Sequence, residues 1–178
     1  MDLRFPIGKF QRPASVSDTE RRASIDAIAA LPAELSAAAK GLSDAQLDTP
    51  YRPDGWTARQ VVHHVADSHI NAYCRLRFAL AENEPTIKPY DENVWSNFID
   101  AKTLPVASSL TILEGLHTRW ATLLRSMTPD QFARVFHHPE SGKQTIDSML
   151  ALYAWHGRHH VAHITSLRER MGWGLARY

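Results

Sequence analysis

The stretch "IDSMLALYAWHGRHHVAHITSLRERM", from Ile146 to Met171, combines a helical apolar pattern with four of the chain's ten histidines. Its apolar side chains recur at the spacing of one helix face. The members of that face are Ile146, Met149, Leu150, Tyr153, Ile164, Leu167 and Met171. We therefore predict one long amphipathic helix over residues 146–171, terminated by Gly172.

The four histidines of this helix point in two directions. At about 100° per residue, His160 lies roughly 20° and His156 roughly 60° from the centre of the apolar face. His163 lies roughly 80° and His159 roughly 120° from the same centre. The phase predicts that His156 and His160 face the interior, and that the other two lie on the flank of the bundle. Gly157 shares the inward face and leaves space beside the two imidazoles.

The inward pair His156 and His160 is spaced i,i+4, so both imidazoles can reach a single metal ion. A shared cation would offset the cost of burying two imidazoles without partners. The alternative is a pair of hydrogen-bonded core histidines, and the spacing alone leaves both interpretations open. Gly157 stands where the His-Glu-x-x-His motif of zinc peptidases has its catalytic Glu, which disfavours a peptidase of that type.

A third ligand has to come from another inward-facing helix, and the segment 60–73 offers two candidates. One face of this helix is apolar and is centred on His69; its members are Val62, Val65, Ile70, Tyr73, Leu76 and Leu80. A second stripe at helical spacing is polar and consists of His64, Ser68, Asn71 and Arg75. Because a bundle helix can show one face to the core and another to a cleft, the phase does not decide between His64 and His69.

Three further segments have the length and apolar spacing of long helices, over roughly 17–40, 57–83 and 106–127. The first begins with a capping box in which Ser17 and Glu20 satisfy each other's backbone N–H groups. Pro32 is predicted to kink or split this helix. Thr57 can cap the second helix.

The remaining segments are short. They comprise a helix near 93–100, a one-turn piece at 128–132, a possible small hairpin at 136–145 and an irregular N-terminal arm over 1–16. Four long helices with short to moderate connections indicate an all-α four-helix bundle. No stretch resembles a linker, so we expect a single domain over residues 1–178.

The charge balance and the single cysteine exclude several classes of protein. Lys and Arg number 20 against 19 Asp and Glu, a formal charge of +1 without a basic stripe, so we expect no nucleic-acid partner. No apolar run approaches the roughly 20 residues of a membrane helix, so we expect no membrane partner. One cysteine, Cys74, permits no intrachain disulfide and fits a cytoplasmic location. We predict that Cys74 is a small buried residue rather than a nucleophile.

Four stretches carry a resemblance to a known family. They are "GWTARQVVHHVADSHINAY" (55–73), "PTIKPYDENVW" (85–95), "LHTRW" (116–120) and "ALYAWHGRHHVAHI" (151–164). In this order and spacing they resemble the DinB-like superfamily, and within it the YfiT-type metal-dependent hydrolases, a branch that includes bacillithiol S-transferases. The resemblance extends from "FPIGKF" (5–10) to "RMGW" (170–173).

This resemblance implies an up-down-down-up four-helix bundle, usually a homodimer, with one divalent metal ion per subunit. The family's three histidine ligands correspond to His64, His156 and His160. The resemblance thus agrees with the phase of the last helix, and on the segment 60–73 it favours His64 over His69. Zinc is the expected metal, with nickel, manganese or iron as alternatives.

The expected activity is that of a metal-dependent hydrolase acting on a small molecule. A divalent ion held by three imidazoles can activate water, or a low-molecular-weight thiol, at neutral pH. The alternatives are thiol S-transfer to electrophilic small molecules and a non-catalytic metal-binding stress or interaction protein. Further candidate residues are Asp67 and Ser68 as support for the site, and Asn71, Arg75, His159 and His163 as substrate-binding residues.

Overall fold

The structure of the chain, a computed structural model, describes residues 2–174. Its long helices are α1 (Asp18–Ala39), α3 (Ala58–Ala81), α6 (Ala107–Ser126) and α8 (Ile146–Arg170). Its short elements are α2 (Asp44–Leu47), α4 (Glu92–Trp95), α5 (Ile99–Thr103), α7 (Pro129–Phe132), β1 (Val135–His138) and β2 (Gly142–Thr145). The predicted helical bundle with a hairpin before the last helix is confirmed, and the one short helix predicted near 93–100 is two. None of the described helices is long and apolar enough to cross a membrane.

Helices α1 and α8 run parallel to each other. Near their N-termini, Arg21 of α1 forms an ion pair with Asp147 of α8, with Nε and Oδ1 2.8 Å apart. Near their C-termini, Nη1 of Arg168 in α8 donates to the backbone carbonyl of Ala38 in α1 at 2.9 Å. The N-terminal parts of the two helices contact each other, and so do their C-terminal parts, so the two helices have the same direction.

Helix α3 runs antiparallel to α8. The ring centroids of His64 and His160 lie 4.8 Å apart, and those of His69 and Tyr153 lie 5.1 Å apart. Residue numbers therefore rise along α3 as they fall along α8. This arrangement brings the histidines of the two helices to the same height in the bundle.

Helix α6 runs parallel to α3, which completes the topology. His63 Nδ1 lies 2.7 Å from Ser109 Oγ, near the start of both helices. Further along, the rings of Tyr73 and Trp120 lie 6.3 Å apart. Taken with the directions of α1 and α8, this gives the up-down-down-up order that the resemblance implied.

The helix starts are fixed by capping boxes, as the sequence predicted for α1. Ser17 Oγ accepts from the backbone N–H of Glu20, while the Glu20 carboxylate accepts from the N–H of Ser17 at 2.8 Å. Thr57 and Gln60 form the same arrangement at the start of α3. Each box satisfies two backbone donors that the first turn of a helix leaves without partners.

Pro32 does not split the first helix, which continues from Asp18 to Ala39. Proline has no backbone N–H, so the carbonyl of Ile28, four residues earlier, lacks its usual helical donor. That carbonyl has a different partner, because His117 Nδ1 of α6 lies 2.5 Å from it. The carbonyl that the proline frees is thus satisfied from a neighbouring helix. Of the two predicted effects of Pro32, the split was wrong, and the kink stays a prediction.

Two apolar clusters form the core, and a layer of histidines separates them. One cluster is centred on Ile28, Leu76, Trp120 and Leu150, and the other on Leu35, Val62, Leu113 and Ile164. On α3, α6 and α8, buried residues of one cluster precede the histidines of this layer, and buried residues of the other cluster follow them. These histidines are His69, His117, His156 and His160. His69 and His117 are 0% and 1% exposed, so this polar layer lies in the interior of the bundle.

Cys74 lies exposed on α3, so the prediction that it is buried was wrong. Ile70 and Phe78, one turn to either side, are exposed as well. Ile70 belongs to the apolar pattern that we assigned to the inward face of α3. The pattern identifies apolar residues at helical spacing, but it does not show which of them other elements cover.

Gly157 lies where α8 packs on α1. A Cβ added at Gly157 would lie 2.7 Å from Cδ2 and 2.9 Å from Cδ1 of Leu31. Leu31 is only 2% exposed and is surrounded by the core. The space that the sequence predicted beside the inward histidines is thus filled by Leu31, and the glycine allows α1 and α8 to approach each other.

We expect Gly157→Ala to lower the free energy of unfolding by about 1–3 kcal/mol, because the added methyl overpacks the core at Leu31. Gly115→Ala in α6 is the matched control, since a Cβ there would meet nothing within 4 Å. It should raise stability by about 0.5–1 kcal/mol through helix propensity. Urea unfolding followed by circular dichroism measures both. A stabilising Gly157→Ala would contradict the close packing described here.

Candidate metal centre

Three histidine side chains from two antiparallel helices meet at one point. His64 comes from α3, and His156 and His160 come from successive turns of α8. One ring nitrogen of each lies within 4.8 Å of the corresponding nitrogen of the other two. His64 and His160 are buried, and His156 is partly exposed. The structure thus brings together the three histidines that the resemblance named.

The spacing of these nitrogens suits a divalent transition metal. His64 Nε2 and His156 Nε2 lie 3.3 Å apart. Two imidazole nitrogens bound to one tetrahedral zinc ion at about 2.0–2.1 Å would be separated by about 3.3–3.4 Å. Nitrogen donors are also the ligand type that zinc, nickel and related ions accept. The donor set therefore fits such an ion without rearrangement of this pair.

Burial keeps the three imidazoles neutral. It lowers the pKa of His64 to about 4, chiefly through loss of hydration. Burial also lowers the pKa of His156 and of His160 well below the ordinary value of 6.5, and the neighbouring histidines add to the effect. A neutral imidazole has a free lone pair, which is the form that binds a metal ion.

The second ring nitrogens of His156 and His160 have partners of their own. His156 Nδ1 lies 3.1 Å from His69 Nε2, and His160 Nδ1 lies 3.3 Å from His163 Nδ1. A metal-binding histidine usually donates its other N–H to a neighbouring group, which fixes the orientation of the ring. This leaves Nε2 of both rings as the atom available to a metal.

The cluster forms part of the wall of a cleft of about 320 Å³. This volume lies in the lower part of the range for small-molecule sites. The cleft is lined by aromatic and charged side chains, which include Trp56, Tyr90, Trp155, Arg75, Glu92 and Glu140. A larger groove of about 620 Å³ lies between α1 and α6 and contains none of the three clustered histidines. The smaller cleft is therefore the candidate functional site.

Within residues 2–174, no cysteine, aspartate or glutamate joins the three histidines as a fourth ligand. Structural zinc sites are usually closed by four protein ligands, whereas catalytic ones have three and keep a position open. The arrangement therefore has the ligand number of a site that binds a further molecule.

Asp67 and Ser68, predicted to support the site, and Asn71, predicted to bind substrate, do not all line the cleft. Ser68 lines the cleft together with Tyr90, a tyrosine whose pKa burial raises. Asp67 is near Asp100 of α5, and burial together with that second carboxylate raises the pKa of Asp67 to about 6. Asn71 donates its amide to the backbone carbonyl of Asp67 at 2.9 Å. Of these three predicted residues, Ser68 is the one in the cleft lining.

Arg75 also lines the cleft, next to His138 and Glu140. Its Nη2 donates to the backbone carbonyl of Lys88 at 3.1 Å, which fixes the guanidinium. Its Nε is buried and has no hydrogen-bond partner among the described residues. The lining of the cleft thus includes a positioned cation, one of whose donors is buried without a partner among the described residues.

The two flank histidines lie under the N-terminal arm. His159 lines the cleft, stacks on Trp155 with ring centroids 4.4 Å apart, and packs near Phe5 of the arm. His163 is 3% exposed, and its Nε2 lies 3.2 Å from the backbone carbonyl of Arg4. The phase placed these histidines on the flank of α8, but it did not show that residues of the arm cover that flank.

Two buried histidines of the site were not predicted to act with the three ligands. His69 was considered only as an alternative to His64, yet the structure places both at the site, with His69 behind His156. His117 lies a further step back, with Nε2 3.0 Å from His69 Nδ1. One signal was present, since His117 lies at helical spacing from Leu113 and Trp120 on the inward face of α6.

The bundle and the three-histidine cluster together define a helical-bundle protein with a candidate metal site. The family model described as the DinB superfamily matches residues 27–164, which include all three clustered histidines. The chain belongs to the DinB superfamily.

Similar proteins carry names that agree with this class. A Bacillus mycoides protein named as a candidate metal-dependent hydrolase is 52% identical over 172 residues, which cover 97% of this chain and 99% of that protein. A Bacillus anthracis protein with the same designation is 51% identical over an equal span. YfiT from Bacillus subtilis is described in the same terms, with an unusual four-helix bundle topology. Its structure superposes with a TM-score of 0.95 at 47% identity, covering 98% of this chain and 100% of YfiT.

We expect protein purified without a histidine tag to contain about one divalent metal ion per chain. Alanine at His64, His156 or His160 should reduce the bound metal far below that ratio, because two imidazoles hold an ion much less firmly than three. Inductively coupled plasma mass spectrometry gives the content. His137→Ala, on an exposed histidine of β1, is the control and should leave it unchanged. Full metal content in His64→Ala would place the metal elsewhere.

We expect the metal-free protein to lose stability as the pH falls from about 6.5 towards 4. The pKa of His64, His159 and His163 is about 4 in the folded chain, against about 6.5 when unfolded. The unfolded chain therefore binds more protons in this window, so lower pH favours unfolding. His64 alone should contribute about 1.4 kcal/mol per pH unit.

Urea unfolding at pH 7.5, 6 and 5 measures this dependence. His163→Phe, which keeps an aromatic ring stacked on Tyr51, should reduce the slope of stability against pH. Stability that does not change between pH 7.5 and 5 would show that these histidines are not buried in neutral form.

Proposed function

We propose that the chain is a metal-dependent hydrolase-type enzyme that acts on a small molecule, with one divalent metal ion per subunit held by His64, His156 and His160. The observation that supports this is the convergence of three neutral imidazoles at the wall of a cleft, with no fourth protein ligand among the described residues. Three ligands and an accessible position favour catalysis over a structural role.

A divalent ion at this position supplies a Lewis acid that makes water, or a small thiol, nucleophilic at neutral pH. We propose zinc as the metal, because it accepts three imidazole ligands and the separation of the His64 and His156 nitrogens suits its tetrahedral geometry. Nickel, manganese and iron accept the same ligands, and availability in the cell contributes to the choice among them.

The protein's own residues would hold and shield the substrate. Trp56 packs against His64 with ring centroids 4.6 Å apart, and Trp155 lines the same cleft. Such aromatic walls exclude water and strengthen the electrostatic interactions inside a site. His159 would add an imidazole to the substrate-binding wall.

Arg75 would bind an anionic group of the substrate, such as a carboxylate. Its guanidinium is held by the Lys88 carbonyl and keeps an unpartnered Nε. A guanidinium presents a fixed set of donors that matches a carboxylate. We therefore propose as substrate a small molecule with a reactive group near the histidines and a negative charge near Arg75. We also propose a cytoplasmic homodimer, which sedimentation of the purified protein would test for its oligomeric state.

We expect the zinc-loaded protein to cleave 4-nitrophenyl hydrogen succinate, an activated ester that carries a carboxylate, without any added thiol. His64→Ala should reduce the rate to background because the metal is lost. Arg75→Gln should raise KM for this ester by about 10–100-fold, since a charge-assisted hydrogen bond contributes about 1.5–3 kcal/mol. It should leave the kinetics of neutral 4-nitrophenyl acetate unchanged. Release of 4-nitrophenolate is followed by absorbance.

A second arm of this assay tests the thiol alternative with 1-chloro-2,4-dinitrobenzene, with and without L-cysteine. Turnover that requires the thiol and is lost in His64→Ala, with no ester cleavage, would replace hydrolysis by S-transfer. No turnover in either arm by a fully metal-loaded protein would favour the non-catalytic interpretation.

A further inference from the structure

We propose that Pro32 of α1 helps to position the metal ligand His156, through a chain of oriented hydrogen bonds that passes through His117 and His69. This inference rests on the three-histidine metal site proposed above. It concerns the groups behind the ligands, and it adds His69, His117 and Pro32 to the residues that determine metal binding.

The chain of hydrogen bonds begins at a backbone carbonyl that the proline sets free. Residue 32 has no N–H to offer the Ile28 carbonyl, and the 2.5 Å contact of that carbonyl with His117 Nδ1 takes the place of the helical bond. A carbonyl can only accept a hydrogen bond. His117 must therefore carry its proton on Nδ1, and its Nε2 is left with a lone pair.

The tautomer of His117 determines the tautomers of His69 and His156 in turn. His117 Nε2 lies 3.0 Å from His69 Nδ1 and can only accept, so His69 donates from Nδ1. His69 Nε2 then has the lone pair, and it lies 3.1 Å from His156 Nδ1, which must donate. Each neutral imidazole has one donor and one acceptor nitrogen. His156 is therefore left with its lone pair on Nε2, which faces His64 Nε2 at 3.3 Å.

A second, shorter chain orients His160 in the same sense. The backbone carbonyl of Arg4 lies 3.2 Å from His163 Nε2 and can only accept, so His163 is protonated there. His163 Nδ1 then accepts from His160 Nδ1 at 3.3 Å. The lone pair of His160 is consequently on Nε2, the nitrogen left for the metal. Two ligands from α8 are thus held in the metal-binding tautomer by different backbone carbonyls.

The tautomers can be read directly by long-range ¹H–¹⁵N correlation spectra of the metal-free protein at pH 8. We expect the Nδ1–H form for His69, His117, His156 and His160, and the Nε2–H form for His163. An Nε2–H tautomer at His69 or His156 would overturn the assigned direction of the first chain. An Nδ1–H tautomer at His163 would overturn that of the second.

Zinc affinity, measured by competition with a chromophoric chelator, tests whether these chains matter for the ligands. Loss of the groups that orient metal-bound histidines typically weakens binding by about 10–100-fold. We expect weakening in this range for His69→Phe and His163→Phe. His63→Phe is the matched control, because His63 is also a buried histidine of α3 but bonds Ser109 and the Leu104 carbonyl instead. It should bind zinc as the wild type does.

Pro32→Ala separates this positioning role from a purely structural one. Alanine favours the helix interior, so thermal unfolding of the metal-free variant should occur at the same or a higher temperature. Its restored N–H competes for the Ile28 carbonyl, so zinc affinity should fall by about tenfold, at the low end of the range above. Wild-type affinity in Pro32→Ala would overturn the role of Pro32, and wild-type affinity in His69→Phe would overturn the chain itself.

The zinc affinities of the variants distinguish an error in the hydrogen-bonded chain from an error in the metal site. If His64→Ala loses the metal while His69→Phe and Pro32→Ala bind it normally, the metal site stands and the hydrogen-bonded chain has no effect. If His64→Ala binds zinc as tightly as the wild type does, the site itself is wrong. Cobalt substituted for zinc gives an independent measure, because its visible spectrum should change in His69→Phe and remain that of the wild type in His63→Phe.

Discussion

The contact on which the site depends is the one between His64 Nε2 and His156 Nε2, 3.3 Å apart in the interior of the bundle. With the lone pair of His156 fixed on Nε2, this nitrogen needs a proton or a cation from the opposite side. Burial lowers the pKa of both imidazoles, so both stay neutral, and the partner of this lone pair is either the Nε2–H of neutral His64 or the metal ion proposed above. The middle of the bundle therefore brings neutral imidazole nitrogens of α3 and α8 to one point.

Such a layer is stable only if its other polar atoms have partners, because an unsatisfied buried group costs about 1–3 kcal/mol. The two chains of hydrogen bonds provide those partners and end on the backbone carbonyls of Ile28 and Arg4. The apolar clusters lie above and below this layer. Gly157 contributes by letting Leu31 close the core against the same stretch of α8 that carries the ligands. The packing of the bundle and the orientation of the ligands are thus parts of one arrangement.

The sequence predicted the helices well because capping residues and apolar spacing act locally, as Ser17, Thr57 and the stripe of α8 show. It predicted His156 and His160 because helical phase fixes the direction in which a side chain points. The third histidine needed the family resemblance, since direction alone does not distinguish a cleft face from a core face. His117, the covered flank of α8 and the exposure of Cys74 depend on which elements pack together. That information lies in long-range contacts rather than in spacing along one helix.

The topology explains why a proline in α1 can influence a ligand in α8. In the up-down-down-up bundle, α1 packs on α6, α6 on α3 and α3 on α8, and the chain Ile28–His117–His69–His156 follows this order with one residue from each long helix. Because α3 and α6 are parallel, His69 and His117 lie at the same height in the bundle. Helix α8 runs antiparallel to α3 and places His156 at that height as well. Hydrogen bonds weaken steeply when their geometry is lost, so a shift of any one helix would break the chain. Correct orientation of His156 therefore requires that all four helices be assembled.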